Sequence, residues 1–239
     1  MEPSVEISIL VYNQWASSKR TFASLIKNTN YKNCLITVLD NGSTDETSEG
    51  LKNYGFKVIT NKENVGFGPG HNQVMKESQA DYICLLNNDI EVEPNWLTKM
   101  VEVAESDELI GLVAPLNRTR GDLIIGGMLR RDGSGYHLYV NSLGKQEPDW
   151  LQASCLLVKR ALINEIGYFD ELFQMGYYED VDYTLRARMA FFKPVVAANV
   201  LVEHYEGVTS KASGLKKFQE INRKKFVGKW NHWLEMHKK

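Results

Sequence analysis

The chain has 239 residues, 43% of them apolar and 24% charged, which is enough to bury a full core in one large domain or two small ones. A formal net charge of −2 excludes bulk electrostatic binding of nucleic acid. Cys34, Cys84 and Cys155 lie far apart without a CxxC pair; this argues against a disulfide framework or a thiolate zinc site and predicts reduced, buried thiols in a cytoplasmic protein.

Val5 to Val11 (VEISILV) is a short run rich in β-branched residues and predicts a buried strand. Helical spacing follows from Trp15 to Lys27 through Phe22, Leu25 and Ile26. Leu35 to Leu39 predicts a second strand, ending at Asp40-Asn41-Gly42-Ser43, where Ser43 and Glu46 have the spacing of a capping box that opens a helix. Phe56 to Thr60 predicts a third strand, followed by a loop with Gly66, Gly68 and Gly70 and a helix from about Asn72 to Glu77. Tyr82 to Leu86 predicts a fourth strand, ending at Asn87-Asn88-Asp89, and Pro94 fits the first turn of a helix reaching Ala104. Strand and helix thus alternate four times, and the continuously apolar strands predict a parallel α/β sheet covered on both faces. Such sheets bind ligands at the carboxyl ends of their strands, where Tyr12-Asn13, Asp40-Asn41 and Asn87-Asn88-Asp89 fall.

The second half is less regular. Gly121 to Gly144 is glycine-rich with mixed charge and predicts a mobile hairpin or loop. Leu151 to Val158 predicts a strand, Arg160 the start of a short helix, Glu179 to Met189 a helix, and Val195 to Val202 one or two strands. The tail from Lys211 to Lys239 has nine Lys and Arg against two Glu, with Leu215, Phe218, Ile221, Phe226, Trp230 and Trp233 at roughly helical spacing. No run reaches the roughly 18 apolar residues that span a bilayer, and no secretion signal is expected at the N-terminus.

A carboxylate at a buried strand end, such as Asp89, is costly unless something positive meets it, and a divalent cation would do so. The other reading of Asp89 is an ordinary turn residue or helix cap. Glu179-Asp180-x-Asp182 opens a helix, where acidic residues also serve the macrodipole. His204 ends an apolar strand, a place that suits a structural histidine as well as a ligand.

Taken in order along nearly the whole chain, these clusters resemble the family 2 glycosyltransferases with the GT-A fold. The matching stretches are Ile7 to Asn13, Val38 to Asp45 (VLDNGSTD), Asn64-Val65-Gly66-Phe67-Gly68 with Asn72, and Leu85 to Asp89. They continue with Gly167 to Glu171 (GYFDE), Glu179-Asp180-Val181-Asp182-Tyr183 with Leu185-Arg186-Ala187, and His204. The likeness is nearest to rhamnosyltransferase-like members that act on bacterial cell-surface polysaccharides. It implies a Rossmann-like, mostly parallel sheet flanked by helices. The nucleotide half would cover residues 1–105, the acceptor half 106–210, and a basic amphipathic helix 211–239.

The resemblance also implies roles. Val11, Tyr12, Asn13, Asp40, Asn64, Gly66, Asn72, Asn87 and Asn88 would hold the nucleotide sugar. Asp89 and His204 would ligate Mn²⁺ or Mg²⁺, with Asn87 standing where many relatives carry a further Asp. Asp180 would be the base of an inverting transfer, because a nucleoside diphosphate leaves as an anion and the acceptor hydroxyl must lose a proton. Trp150, Glu179 and Asp182 fall on the expected acceptor side, and Arg186 and Arg188 suit a salt-bridged helix face better than a phosphate site. Tyr178 and Phe191 stand where many relatives have Gly and would add bulk near the active-site wall.

The implied partners are a dTDP-, UDP- or GDP-linked sugar and a glycan or lipid-linked saccharide. Peripheral contact of the basic tail with the inner face of the membrane competes with packing of the tail on the domain. Two other classes stand as alternatives. A nucleotidyltransferase would need a basic Gly-rich phosphate loop after the first strand, and Tyr12-Asn13-Gln14-Trp15 is not one. A non-catalytic sugar-nucleotide-binding subunit would not need Asp89, Asp180 and His204 together.

Overall fold

The computed structural model describes residues 2–205 and 216–237. Leu215 and the rest of 206–215, which include part of the expected basic tail and the boundary expected at 210, lie outside the described residues, as do residues 238–239.

The first half contains β1 (Val5–Val11), α1 (Trp15–Asn28), β2 (Cys34–Asp40), α2 (Thr47–Leu51), β3 (Lys57–Thr60), α3 (Phe67–Glu77), β4 (Tyr82–Asn87), β5 (Ile90–Val92) and α4 (Trp96–Glu105). The second contains β6 (Ile110–Thr119), β7 (Asp122–Leu129), β8 (Gly135–Tyr139), β9 (Cys155–Lys159), α5 (Arg160–Ile166), α6 (Glu179–Met189), β10 (Lys193–His204) and α7 (Lys216–His237). These strands form one sheet in the order β3-β2-β1-β4-β9-β6-β10-β5, with the β7–β8 hairpin attached to β6. Strands β3, β2, β1 and β4 run parallel. The reversed strand β9 separates β4 from β6, β10 is parallel to β6, and β5 runs against β10.

The two-residue period of the strands assigns the sheet faces. Tyr82, Cys84 and Leu86 join Ile7, Ile9, Phe22, Trp96 and Met100 under α1 and α4. Ile83 and Leu85 point the other way, into a core with Met75, Leu156, Leu162, Tyr183 and Ala187 under α3, α5 and α6. A third cluster joins Phe226 and Leu234 of α7 to Leu129, Trp150, Phe173, Tyr178, Val181 and Leu185. The tail therefore packs on the domain, and among the described residues no helix is long and apolar enough to cross a membrane. The three thiols are unpaired, and burial pushes that of Cys34 up to about 12.

Two local expectations are corrected, one unforeseen strand is added, and the expected hairpin is found. Ser43 does not cap a helix: its hydroxyl accepts the Asn13 amide at 2.8 Å, and α2 begins at Thr47 behind Glu46. Helix α3 starts at Phe67, so Gly68 and Gly70 are helical rather than looped; a Cβ on Gly70 would come within 2.5 Å of Leu10, and close helix-to-sheet packing explains the glycine. Strand β6 was hidden by Pro115, which sits where the pairing to β10 breaks register between Ala197 and Leu201, a place that tolerates proline. The Gly121–Gly144 segment is a paired hairpin whose glycines make room: a Cβ on Gly127 or Gly135 would lie 2.0 or 2.6 Å from the Trp150 indole.

Candidate active site

The carboxyl ends of β1, β2 and β4 open into a cavity of about 600 Å³. Its lining on this side includes Tyr12, Asn41, Asn64, Gly66, Phe67, Asn87, Asn88 and Asp89. The opposite side is formed by His137 of the hairpin, by Trp150, Gln152, Ala153 and Ser154 entering β9, and by residues 175–181 at the start of α6. Gln219 of α7 completes the wall.

Asp89 and His204 meet although 115 positions separate them. The chain turns at Asn88-Asp89 out of β4 and returns as β5, which pairs with the end of β10 so that His204 lies opposite Ile90. The Tyr205 amide donates to the Asp89 carbonyl at 3.0 Å, fixing the two ends together. His204 Nε2 lies 3.4 Å from Asp89 Oδ1, both side chains are buried, and Asp89 Oδ1 has no hydrogen-bond partner. A bare carboxylate oxygen beside an imidazole nitrogen on a cavity wall is a donor set that fits a hard divalent cation. Among the described residues no group of three or more His, Cys, Asp or Glu side chains suits a metal.

Asp180 lines the same cavity. Asn87 N–H donates to the Ser154 carbonyl at 2.9 Å, and one residue back the Ala153 amide faces Asp180 Oδ2 at 3.4 Å, so the turn entering β9 links the end of β4 to the carboxylate. Asp180 Oδ1 accepts the Val181 amide at 2.8 Å. The side chain is half-buried, and burial pushes its carboxyl up to about 6. Glu179 beside it is buried with Oε2 unpartnered, and burial together with the Asp180 charge pushes its carboxyl up to about 8. The loop that delivers the pair is strained: Met175, Tyr177 and Tyr178 have φ of 65°, 74° and 75°, and the intervening Gly176 has φ of 150°.

Several predicted residues support the cavity instead of lining it. Asp40 is fully buried, taking the Ser43 amide at 2.9 Å and the Ser48 hydroxyl. Asn13 accepts the Thr44 amide at 2.7 Å, and Val11 is a core residue. Asn72 holds the Phe169 backbone through a 3.0 Å bond in each direction, stapling α3 to the Gly167–Glu171 turn. Asp182 is fully buried and serves Arg186, Lys229 and Trp230, so it faces the tail rather than an acceptor. Arg188 donates to the Pro148 carbonyl. Tyr178 does line the cavity, but Phe191 is 85% exposed at the far end of α6 and adds no bulk to the wall.

His137, Gln152, Ser154, Met175, Tyr177 and Gln219 were not foreseen, and Asn41, named in a strand-end cluster, was given no role of its own. Tyr177 precedes the acidic pair and so carried a positional signal. His137 and Gln219 carried none.

A parallel half-sheet whose strand ends meet Asp89, His204 and Asp180 around one cleft is the architecture that the family comparison addresses. The family model described as Glycosyl transferase family 2 matches residues 6–194, and the chain belongs to that family. The chain is 25% identical over 204 residues to N-acetylglucosaminyl-diphospho-decaprenol L-rhamnosyltransferase of Mycobacterium tuberculosis, covering 72% of this chain and 66% of that relative. Its fold is GT-A. It is similar to GalNAc-T7 solved with UDP, GalNAc and Mn²⁺, with a TM-score of 0.72, 18% identity, and coverage of 85% of this chain and 44% of that one. It is also similar to the mannosyltransferase PcManGT from Pyrobaculum calidifontis, solved with GDP-Man and Mn²⁺, with a TM-score of 0.67, 15% identity, and coverage of 87% and 58%.

Proposed function

We propose that this chain is a metal-dependent, inverting glycosyltransferase that moves a hexose, with rhamnose the first candidate, from a nucleoside-diphosphate sugar to a hydroxyl of a glycan or lipid-linked saccharide in cell-surface polysaccharide synthesis. The observation that carries the reading is the placement of Asp180 in the same cavity as the Asp89–His204 pair. The name of the Mycobacterium relative, a rhamnosyltransferase of a lipid-linked acceptor, supports the substrate class.

Tyr12, Asn41, Asn64, Gly66, Asn87 and Asn88 would hold the nucleotide sugar at the strand ends. Asp89 and His204 would hold Mn²⁺ or Mg²⁺, which when bound supplies positive charge to the departing diphosphate. Asp180 would take the proton of the acceptor hydroxyl as it attacks the anomeric carbon from the face opposite the leaving group, so configuration inverts. Glu179, held protonated by burial and by its neighbour, leaves the negative charge of the pair on Asp180.

Asp180→Asn keeps the shape and removes the base. The expected result is a kcat lower by roughly 10²–10⁴-fold with donor affinity retained. Normal transfer by this variant, or a product with the donor's anomeric configuration by NMR, overturns the assignment. Asp89→Ala is expected to lose metal-stimulated donor binding in titration calorimetry; unchanged affinity in the presence of Mn²⁺ removes the metal pair.

A further inference from the structure

We propose that Asn222 of α7 is a positioning residue for Asp180, acting through the strained loop at residues 174–178. This rests on the reading of Asp180 as the base. Asn222 is fully buried, and its Nδ2 faces three loop carbonyls: Gln174 at 2.9 Å, Gly176 at 2.8 Å and Tyr177 at 3.2 Å. Its Oδ1 has no partner, so every bond that this buried amide makes goes to the loop. Burying an amide costs free energy that only those bonds return.

The loop needs such a clasp. Left-handed backbone at Met175, Tyr177 and Tyr178 is unfavourable for residues with a Cβ and persists only where surroundings hold it. The Gln174 carbonyl also takes the Gly176 amide at 2.8 Å within the loop, whereas the Gly176 and Tyr177 carbonyls find their donor in a helix 45 or more positions away. The next residues after Tyr178 are Glu179 and Asp180, with no intervening turn to absorb a shift. From the other side, the Phe67 amide donates to the Met175 carbonyl at 3.2 Å, but this holds only the first residue of the strained run. The Tyr178 hydroxyl donates to the Gly133 carbonyl at 2.9 Å, fixing the ring but not the peptide bonds that Asn222 holds. Without Asn222 those peptides are free to relax toward ordinary backbone, and the carboxylate moves with them. Displacement of a reacting group by about 1 Å costs on the order of 10²-fold in rate.

The test measures release of nucleoside diphosphate from UDP-glucose, dTDP-L-rhamnose and GDP-mannose with Mn²⁺, using the full chain and its Asn222→Ala, Asn222→Ser, Asp180→Asn and Leu234→Ala variants. Leu234 is buried in the same cluster without touching the loop through a hydrogen bond, and it controls for loss of stability alone. Asn222→Ala is expected to lower kcat by about 10²-fold with donor KM within about threefold. Asn222→Ser, which keeps one donor, should fall between it and wild type, and Leu234→Ala should retain kcat while melting lower. Amide exchange at residues 175–180 should quicken in Asn222→Ala and stay unchanged in Leu234→Ala, a readout that stands if Asn222→Ala is assayed only at low temperature. Wild-type kcat in Asn222→Ala alongside a dead Asp180→Asn overturns the positioning role alone. An active Asp180→Asn, or a wild-type chain that turns over none of the three donors, overturns the base reading and this proposal with it.

Discussion

Glu179 carries the clearest residue-scale consequence. Burial and the Asp180 charge push its carboxyl from 4.5 up to about 8, and burial pushes Asp180 from 3.8 up to about 6. The folded chain therefore keeps protons that the unfolded chain has released between those values. Its stability falls as pH rises through that window, because the state that binds more protons is favoured at low pH. Glu179→Gln, which needs no proton to stay neutral, should raise the melting temperature at pH 8 by about 2–4 °C for each kcal/mol recovered and flatten its decline from pH 5 to 8. A variant that melts lower than wild type at pH 8 contradicts this. The same perturbation predicts a kcat that climbs with pH through about 6, as Asp180 ionises, and a pH-independent residual rate in Asp180→Asn. At this scale the sequence was partly legible. Asp89, His204 and Asp180 were singled out at strand ends and a helix start and given their expected roles by the family resemblance, and the three do line one cavity. Asp40, Asn72 and Asp182 are equally polar and equally placed, yet their bonds go to the chain itself, and no spacing rule tells a carboxylate facing a cavity from one facing an amide.

Among the elements, α6 ends in a way that invites a test. The Phe192 amide reaches back to the Ala187 carbonyl and the Phe191 amide to that of Arg188, each at 3.0 Å, with Phe191 at φ 64° between them. This is the Schellman pattern, whose left-handed position favours glycine, and Phe192 supplies its usual apolar contact near Ala187. Phe191→Gly removes an exposed ring and about 1 kcal/mol of backbone strain and returns part of it as chain entropy, so thermal melting should show a small gain. A loss above about 1 kcal/mol would mean that the ring has a contact. The β7–β8 hairpin makes the opposite point. Its glycines suggested mobility, but they seat Trp150, and Arg223 donates to the Asp132 carbonyl at 2.6 Å. Amide exchange should find Gly126 to Leu129 protected and the exposed stretch from Asn141 to Glu147 open. Uniformly fast exchange would instead bear out the mobile reading. Glycine counts could not distinguish these cases, because a residue chosen for freedom and one chosen for absence of bulk are written with the same letter.

For the whole molecule, α7 closes the third core cluster. Phe226 and Leu234 are fully buried, and Lys229 and Trp230 reach the buried Asp182 at 2.7 and 2.8 Å. Phe226→Ala should cost about 3–5 kcal/mol in denaturant unfolding; a cost under 1 kcal/mol would make the helix a loosely attached appendage. The tail's apolar pattern was legible, but its destination was not, since an amphipathic helix looks alike whether it covers a lipid surface or a protein one. The antiparallel insertion of β9 between β4 and β6 was likewise hidden, because strand pairing across 70 positions leaves no local mark.

Gly66 and Met175 meet closely enough that a Cβ on Gly66 would lie 2.8 Å from the Met175 backbone. The contact joins the loop beside the expected sugar nucleotide to the loop that carries Asp180. The two flanks of the cleft are consequently poor units for grafting. A chimera that joins residues 1–105 to the acceptor half of a relative imports a base-bearing loop shaped against a different partner at position 66. Any wider turn in the graft then meets the backbone at Gly66 and displaces the carboxylate although neither parent is defective. Exchange of acceptor specificity by recombination in this chain therefore has to carry both loops across together, even though 109 positions of sequence lie between them.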